Sequence, residues 1–564
     1  MRRRLWFCTV LAVLPLTGCT AAPSPTPTPA PRAALVAFDS CTQLDKELRA
    51  AAPRIVVDRR PRAAPGEVLD QAAAPAPAAA AHSTTNVHEI GADEPDIVKT
   101  DGRRIVTVDR GVLRVIDPVA RRQTGRLDLG GAGSELLLAG DRALVLLNTN
   151  GYGAVLDDRR LLPPTTGRAE VVLVDLAGSP TVISRYRGDG RLLDARQTGS
   201  VARVVLATRP RLPQSLNATD ADAWRPRWEI TTGTKTATGQ VDCRDVVRPP
   251  SYSATAMLTL LTFDLNAPVL SDGDPLTVVS DGDAVYGTAT SLYVTNNQYR
   301  NGGGYTEIFK FGLPGAAKPV LEAGGQVPGS LLNQYAMSEW DHHLRVATTD
   351  DRAGTSAVRV LAVRDGKLIP VGEVDGLGRG ERIYAVRFIG PRGYVVTFRQ
   401  TDPLYSLDLS DPARPRVTGE LKITGYSAHL QPVGADRLIG IGQEADTTGV
   451  RQGLQVSLFD VADPAQPRRL AQEVLPGARS MAEFDPHALL WWPATRLLVV
   501  PVSGLGSLAV RVDDTGLREA AHAVAGEPVR RTLVVGDELW TLTESGLTVA
   551  DLSTLDQVGR LPFS

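Results

Sequence analysis

Several kinds of residue are scarce in this 564-residue sequence. It contains only 4 cysteines and 4 methionines, and aromatic residues make up 5% of it. These low counts disfavour cofactor binding by aromatic stacking and methionine-rich grooves for amphipathic helices. Neither sign of charge is in excess, since 61 Lys and Arg stand against 63 Asp and Glu. Proteins that bind nucleic acid normally carry a basic excess or a basic stripe, so we predict no nucleic-acid partner.

The residues that are abundant indicate a folded, turn-rich protein. Hydrophobic residues make up 43% of the chain and charged residues 22%, a composition that can bury a large core. Gly and Pro together account for 93 of the 564 residues, which is typical of folds with many short connections. Length alone suggests two to four domains.

The N-terminus has the pattern of an export signal. Three arginines at 2–4 precede an apolar run at 5–14, which is too short to span a bilayer and has the length of a signal-peptide core. The run ends in Leu16-Thr-Gly-Cys19, which resembles the lipobox of bacterial lipoproteins. The resemblance implies cleavage before Cys19, acylation of its sulfur and attachment to membrane lipid on the extracytoplasmic face. The alternative is an ordinary signal peptide with a coincidental cysteine.

Cysteine usage after the signal predicts one disulfide. Cys8 is lost with the signal and Cys19 is lipidated, which leaves Cys41 and Cys243. Two cysteines in an oxidising compartment indicate a disulfide. Two free buried thiols are the alternative.

A repeating unit extends along most of the chain. Each copy is an apolar strand that ends in Asp or a turn, followed by a loop that contains Pro or Gly. The clearest copies end at Asp117, Asp175, Asp264, Asp408, Asp460 and Asp551, and weaker ones lie near Phe309, Leu361 and Val510. Most spacings between copies are 40–58 residues, the length of a β-propeller blade with four short strands. The nine markers predict an all-β fold with a single large propeller of about eight or nine blades. Two smaller propellers, or a propeller plus a sandwich, are the alternatives.

Composition divides the rest of the chain. Pro alternates with Ser, Thr and Ala after Cys19, which favours an extended tether, and a second Ala/Pro-rich stretch follows a short helix/strand module. Within that module Ser40 and Gln43 resemble a capping box, and residues 55–57 have the pattern of a strand. The predicted organisation is signal peptide 1–18, tether 19–34, N-terminal module 35–61, linker 62–81 and propeller 86–564, with an irregular insertion at about 209–253.

Three segments carry a family resemblance. Residues 86–102 (NVHEIGADEPDIVKTDG), 344–349 and 387–404 resemble segments of a bacterial and archaeal family of secreted β-propeller proteins distantly related to WD repeats. The resemblance implies the same fold but no established activity. The chain departs from the family pattern at Ala428, Gln431 and 485–488, so we expect no essential polar site at those positions.

Motifs for chemistry are absent from the sequence. It contains no Gly-x-Ser-x-Gly elbow, His-Glu-x-x-His site or phosphate-binding Gly loop, so no catalytic or cofactor residue is predicted. Asp93, Glu94, Asp96 and Asp101 put four carboxylates into nine residues, which suits Ca²⁺ ligation. Their spacing lacks the Asp-x-Asp-x-Asp-Gly order, and carboxylates that cap tight turns explain the cluster more simply. No cofactor is therefore predicted, and Ca²⁺ stays the alternative.

Two functional hypotheses follow. The first is a membrane-anchored, non-catalytic binding or scaffold propeller for envelope proteins or polysaccharide. The second is a propeller enzyme, a hydrolase or lyase, with its active site at the central funnel. Convergence of carboxylates or histidines from different blades at the funnel would favour the second.

The lipobox generates the first testable prediction. Radiolabelled palmitate should enter the wild-type protein, whereas Cys19→Ala should block both labelling and processing, because the acylated sulfur is removed. A protein that begins at Thr20 behind a secretory signal should be released from the membrane. Absence of label in the wild-type protein would contradict the anchor.

Overall fold

The computed structural model describes most of the chain after the tether. The described residues are 35–51, 82–148, 167–209, 224–249, 252, 256–300, 303–398, 402–446, 449–523 and 527–563. Cys19, the tether, the strand predicted at 55–57 and the linker lie outside them. Within these ranges no helix has the length and apolar character needed to cross a membrane.

The described residues begin with a short strand and a helix. They are β1 (Val36–Ala37) and α1 (Cys41–Ala51). The Ser40 hydroxyl accepts a hydrogen bond from the Gln43 amide at 3.1 Å, as an N-cap does. Leu44 and Leu48 lie on one face of α1 and are fully buried.

Antiparallel sheets follow one another along the rest of the chain. Eight sheets are present, and one of nine strands consists of two units joined by a single bridge between Gly324 and Lys367. The described residues therefore form nine units, which we call blades 1 to 9. Blade 1 consists of β2 (Val98–Thr100), β3 (Ile105–Asp109), β4 (Val112–Asp117) and β5 (Arg122–Asp128), and blade 2 of β6 (Ala132–Ala139), β7 (Arg142–Asn148), β8 (Arg168–Asp175) and β9 (Thr181–Asp189). Blade 3 consists of β10 (Arg191–Thr198), β11 (Val201–Thr208), β15 (Met257–Asp264) and β16 (Leu276–Val278). Between β11 and β15 lie β12 (Arg227–Thr232), β13 (Lys235–Gln240) and β14 (Val246–Arg248).

Blades 4 to 6 have the same chain order. Blade 5 differs in that two short pieces, separated by a 3₁₀ turn at Gln334–Ala336, share its first position. The strands are β17 (Ala284–Gly287), β18 (Ser291–Arg300), β19 (Gly303–Gly312) and β20 (Val320–Pro328) in blade 4; β21 (Ser330–Leu331), β22 (Met337–Trp340), β23 (His343–Asp350), β24 (Thr355–Arg364) and β25 (Lys367–Leu377) in blade 5; and β26 (Arg382–Ile389), β27 (Arg392–Phe398), β28 (Asp402–Asp408) and β29 (Arg416–Ile423) in blade 6.

Blades 7 to 9 complete the ring. Two 3₁₀ turns, Met481–Glu483 and Pro486–Ala488, lie between blades 7 and 8, and further turns lie at Cys243–Asp245 and Pro493–Thr495. The strands are β30 (Tyr426–Pro432), β31 (Arg437–Ala445), β32 (Arg451–Asp460) and β33 (Arg468–Pro476) in blade 7; β34 (Leu490–Trp492), β35 (Leu497–Val502), β36 (Gly506–Val512) and β37 (Leu517–Ala523) in blade 8; and β38 (Arg531–Val535), β39 (Glu538–Leu542), β40 (Gly546–Asp551) and β41 (Gln557–Pro562) in blade 9.

Apolar side chains hold neighbouring blades together. Middle strands such as β8 and β35 are buried along nearly their whole length, whereas fourth strands such as β5 and β41 alternate between half-buried and exposed residues. Middle strands therefore pack against a blade on each side. The ring closes where Trp540 of blade 9, fully buried, packs with Ile105 and Ile116 of blade 1. The single large β-propeller predicted from the repeats is confirmed.

The nine sequence markers each fall on the third strand of a different blade. Six of these strands end in Asp, and in all six an aspartate oxygen accepts a hydrogen bond from the backbone amide two residues later, at 2.8 to 3.1 Å. This bond closes the turn to the fourth strand as an Asx turn. The aspartate therefore recurs because its side chain stabilises the turn that follows the third strand.

The insertion between β11 and β15 builds onto two blades. The hairpin of β12 and β13 extends the outer edge of blade 2 through pairing of β12 with β9, and β14 pairs with β16 of blade 3. β1 then pairs with β14, so the N-terminal module becomes the outermost strand of blade 3. Cys41 and Cys243 form a disulfide with their Cα atoms 5.3 Å apart, and the predicted disulfide is confirmed.

The disulfide generates a stability prediction. Cys243→Ser should lower the free energy of unfolding by about 2–4 kcal/mol, because the bond closes a loop across 202 residues of sequence. Limited proteolysis of the variant should cut first near α1, which the bond holds to blade 3. The double variant Cys41→Ser/Cys243→Ser is the control, and a loss clearly larger than that of the single variant would contradict an effect of the bond alone.

Candidate functional site

The centre of the ring is occupied by the chain's own residues 82–97, which we call the central segment. It pairs with first strands at three bridges, His82 with Val535, Asp93 with Gln197 and Asp96 with Leu136. First strands therefore line the centre. The segment contacts blades 2 to 9, or the connections that lead into them, through Leu136, Gln197, Tyr286, Met337, Arg387, Gln431, His487 and Arg531. Its last residue leads directly into β2 of blade 1.

Glu94 is the most connected charge at the centre. Its carboxylate lies 3.0 Å from Nε2 of His487 and 3.7 Å from Nε of Arg196, and all three side chains are almost completely buried. Burial raises the pKa of Glu94, but Arg196 and His487 outweigh it and hold the pKa at about 2. Burial lowers the pKa of His487, but the bond to Glu94 and the nearby Asp96 raise it to about 9. At neutral pH the pair is therefore ionic.

A second ion-paired group lies beside the first. The Arg531 guanidinium is 2.7 Å from Asp96 of the central segment and 2.7 Å from Asp485 in the connection between blades 7 and 8. Arg531 is the first residue of β38, and all three side chains are buried. One arginine thus ties three separate parts of the chain together.

The other end of the central segment contains a buried neutral histidine. His88 Nε2 lies 3.0 Å from the Met337 carbonyl, so this nitrogen carries the proton and donates it, while Nδ1 is 3.4 Å from the Arg387 guanidinium and accepts. Burial and then Arg387 lower the pKa of His88 to about 3. Next to it, the Tyr286 hydroxyl donates to Glu89 at 2.7 Å.

One carboxyl at the centre has unusual titration behaviour. Glu135 lies half-buried on β6 and faces Asp194, Asp96, Asp485 and His487. Burial, followed by the charge of Asp194, raises the pKa of Glu135 to about 7. Asp194 is itself 2.7 Å from Arg196, and burial raises its pKa in spite of that neighbour.

The four carboxylates considered as Ca²⁺ ligands from the sequence each have a different partner in the structure. Asp93 pairs with Lys99 at 2.8 Å, and Asp101 accepts the amides of Arg103 and Arg104 in a turn. Glu94 and Asp96 belong to the two groups above. Within the described ranges no three His, Cys, Asp or Glu side chains come together as a metal site.

Sequence reasoning missed several residues of the central site. It expected no essential polar site around Gln431 and 485–488, yet Asp485 and His487 are ion-paired there, and Gln431 is 3.3 Å from Asn86. Carboxylates and histidines from different blades therefore do converge. One feature of the sequence could have indicated this site, namely the charge of the central segment. Four acidic residues so close to a buried strand need cationic partners elsewhere in the chain.

One small cleft lies beside these charges in the described part of the chain. This cleft beside the central segment has room for about 50 Å³ and is lined by residues from blades 1, 8 and 9, among them Lys99, Trp491 and Arg531. This volume has room for a few water molecules.

Comparison with known proteins agrees with the repeat structure. Residues 82–555 match the family model described as "Beta propeller domain". An uncharacterized protein of Methanocaldococcus jannaschii is 35% identical over 260 residues, which is 45% of this chain and 41% of the relative. One of Archaeoglobus fulgidus is 36% identical over 258 residues, 45% of this chain and 38% of the relative. The aligned region thus spans about two fifths of each relative.

Solved structures of low sequence identity are also similar. Sqt1 of Saccharomyces cerevisiae is 10% identical, with 54% of this chain and 79% of Sqt1 aligned at a TM-score of 0.34. BamB of Moraxella catarrhalis is 13% identical, with 65% and 86% aligned at a TM-score of 0.30. Assignment of the fold therefore rests on the family model and on the nine blades themselves.

The Glu94–His487 pair generates a pH prediction. The pKa of His487 rises from 6.5 to about 9 on folding, so its contribution to stability is full below pH 6.5 and is lost as pH rises through 9. His487→Asn should therefore cost about 3 kcal/mol in the free energy of unfolding at pH 6 and markedly less at pH 9.

Urea unfolding of both proteins between pH 5 and 9 measures that difference. His342→Asn is the control, because His342 is exposed on a turn with positive φ that Asn also adopts readily. A cost of His487→Asn that does not change with pH would show that the ion pair does not stabilise the fold.

Proposed function

The chain belongs to the beta propeller domain family, and from that premise we propose that it is a non-catalytic binding or scaffold protein. Its ligands are envelope proteins or polysaccharide, which it recognises with the loops at the ends of its blades. Acylated Cys19 holds it to the extracytoplasmic face of the cell membrane.

The observation that carries this proposal is the filled centre of the ring. Propeller enzymes commonly need an open funnel in which unpaired groups meet a substrate. Here residues 82–97 occupy that place, and Glu94, Asp96 and His487 are already paired with other side chains of the chain. The loops at the two ends of the ring are then the surfaces that remain for recognition.

Location is supported by two independent features of the chain. The lipobox-like sequence that ends at Cys19 favours export and acylation. A disulfide between Cys41 and Cys243 is typical of proteins that fold in an oxidising compartment outside the cytoplasm.

A propeller enzyme is the second candidate, and the convergence of carboxylates and histidines at the centre, above all at Glu135, is the observation that favours it. A half-buried carboxyl with a pKa of about 7 can give or take a proton at neutral pH, which is what general acid–base catalysis requires. The cleft of about 50 Å³ beside the central segment disfavours this candidate, because a substrate would have to displace that segment.

One experiment separates the two candidates. The purified mature protein should bind solubilised envelope proteins or envelope polysaccharide saturably, and should show no turnover of sugars, peptides or polysaccharide. Absence of saturable binding would contradict the proposal. Reproducible turnover that Glu135→Gln abolishes would establish the enzyme instead.

A further inference from the structure

Four exposed apolar side chains cluster at one end of the ring. We call this end the loop face, because the connections from second to third strands and from blade to blade lie there. Val450, Met481, Phe484 and Leu505 belong to three neighbouring connections of blades 7 and 8, and are 59%, 46%, 45% and 51% exposed. Large apolar side chains grouped in this way mark interaction sites more often than side chains scattered singly.

Backbone hydrogen bonds hold these connections in place. The Gly477 amide donates to the Gln452 carbonyl at 2.8 Å, and the Ser503 amide donates to the Arg479 carbonyl at 2.9 Å. A capping box between Ser480 and Glu483 fixes the 3₁₀ turn from which Met481 projects. Backbone bonds therefore tie the three connections to one another, and we call their four exposed apolar side chains the blade 7–8 patch.

Two arginines flank the patch. Arg451 follows Val450 directly and lies over the ring of Tyr426 at 5.8 Å, and Arg479 stands two residues before Met481. Both are exposed, and among the described residues neither has a carboxylate within ion-pair distance. Carboxylates of these connections have partners of their own. Glu483 is buried and already bonded to Gln443 and to the Ser480 amide, and Asp446 accepts the Val450 amide and the Gln452 side chain. Other exposed arginines differ in this respect: Arg414 and Arg416 have an aspartate partner, whereas Arg364 and Arg379 stand without one within the described ranges, as Arg451 and Arg479 do.

We infer that the blade 7–8 patch binds a segment of a partner protein in which apolar residues alternate with acidic ones. This inference rests on the proposed binding function and names the surface and the partner chemistry. Met, Phe and Arg are the residue types enriched in protein interfaces, and two arginines without partners on the protein complement carboxylates on the ligand. Polysaccharide would instead call for exposed aromatic faces and neutral polar groups.

A membrane surface is the competing occupant, and the charge of the patch disfavours it. Binding to anionic lipid is driven by clusters of four or more cations. The patch has two arginines, and the carboxylates of Glu483 and Asp446 in the same connections lower the local positive potential.

A defined peptide tests the inference. The probe is a fluorescein-labelled 12-residue peptide in which Leu and Phe alternate with Glu, and the second probe carries Lys in place of each Glu. Fluorescence anisotropy with the full exported protein at 0.15 M salt should give saturable binding of the acidic peptide alone. Phe484→Ser with Met481→Ser, and Arg451→Glu with Arg479→Glu, should each weaken that binding at least about tenfold.

Matched controls show that the effect is local. Val119→Ser removes an apolar side chain that is 93% exposed at the opposite end of blade 1 and should leave peptide binding unchanged. Circular dichroism melts should be the same for all variants, because the substituted side chains are on the surface.

Three results would overturn the inference. These are equal binding of the lysine peptide, no effect of the patch variants, and binding to phosphatidylglycerol vesicles in place of the peptide. If the wild-type protein binds envelope material but not the acidic peptide, this inference fails and the proposed function stands. If it binds neither, both fail.

Discussion

The fold depends on how the charges of residues 82–97 are neutralised at the centre of the ring. Propeller blades surround a central channel, and in this protein residues 82–97 occupy it. Burying a carboxylate without a partner would cost several kcal/mol. Glu94 and Asp96 avoid this cost because Arg196 and Arg531 reach them from first strands.

Three of the arginines that contact the central segment are evenly spaced around the ring. Arg196, Arg387 and Arg531 lie on the first strands of blades 3, 6 and 9, one in every third blade. Apolar packing between blades supplies most of the stability, but it is non-directional and similar at each interface. The central ion pairs are specific to their partners, and so can fix which blade stands where, a role that buried polar groups fulfil in other folds.

Prediction from sequence succeeded where the determining interactions are local. Asp408 and Asp551 mark third strands because each closes its own turn two residues later, and Ser40 caps a helix within three residues. It failed where partners are distant: Glu94 meets His487 across 393 residues and Asp96 meets Arg531 across 435. From its composition we expect the insertion after Thr208 to be irregular, yet it forms strands. Pairing with the edges of existing blades, which composition does not show, determines its structure.

The contrast between the centre and the loop face bears on where function lies. At the centre Glu94, Asp96 and His487 already have charged partners within the chain. A ligand that bound one of these groups would have to break a buried pair, which costs about 3–5 kcal/mol. At the blade 7–8 patch, Arg451 and Arg479 keep their charges in solvent next to exposed apolar side chains. A ligand there would gain contacts without breaking any ion pair. If the protein binds a partner as proposed, the blade 7–8 patch is therefore a surface on which binding leaves the buried ion pairs of the centre intact.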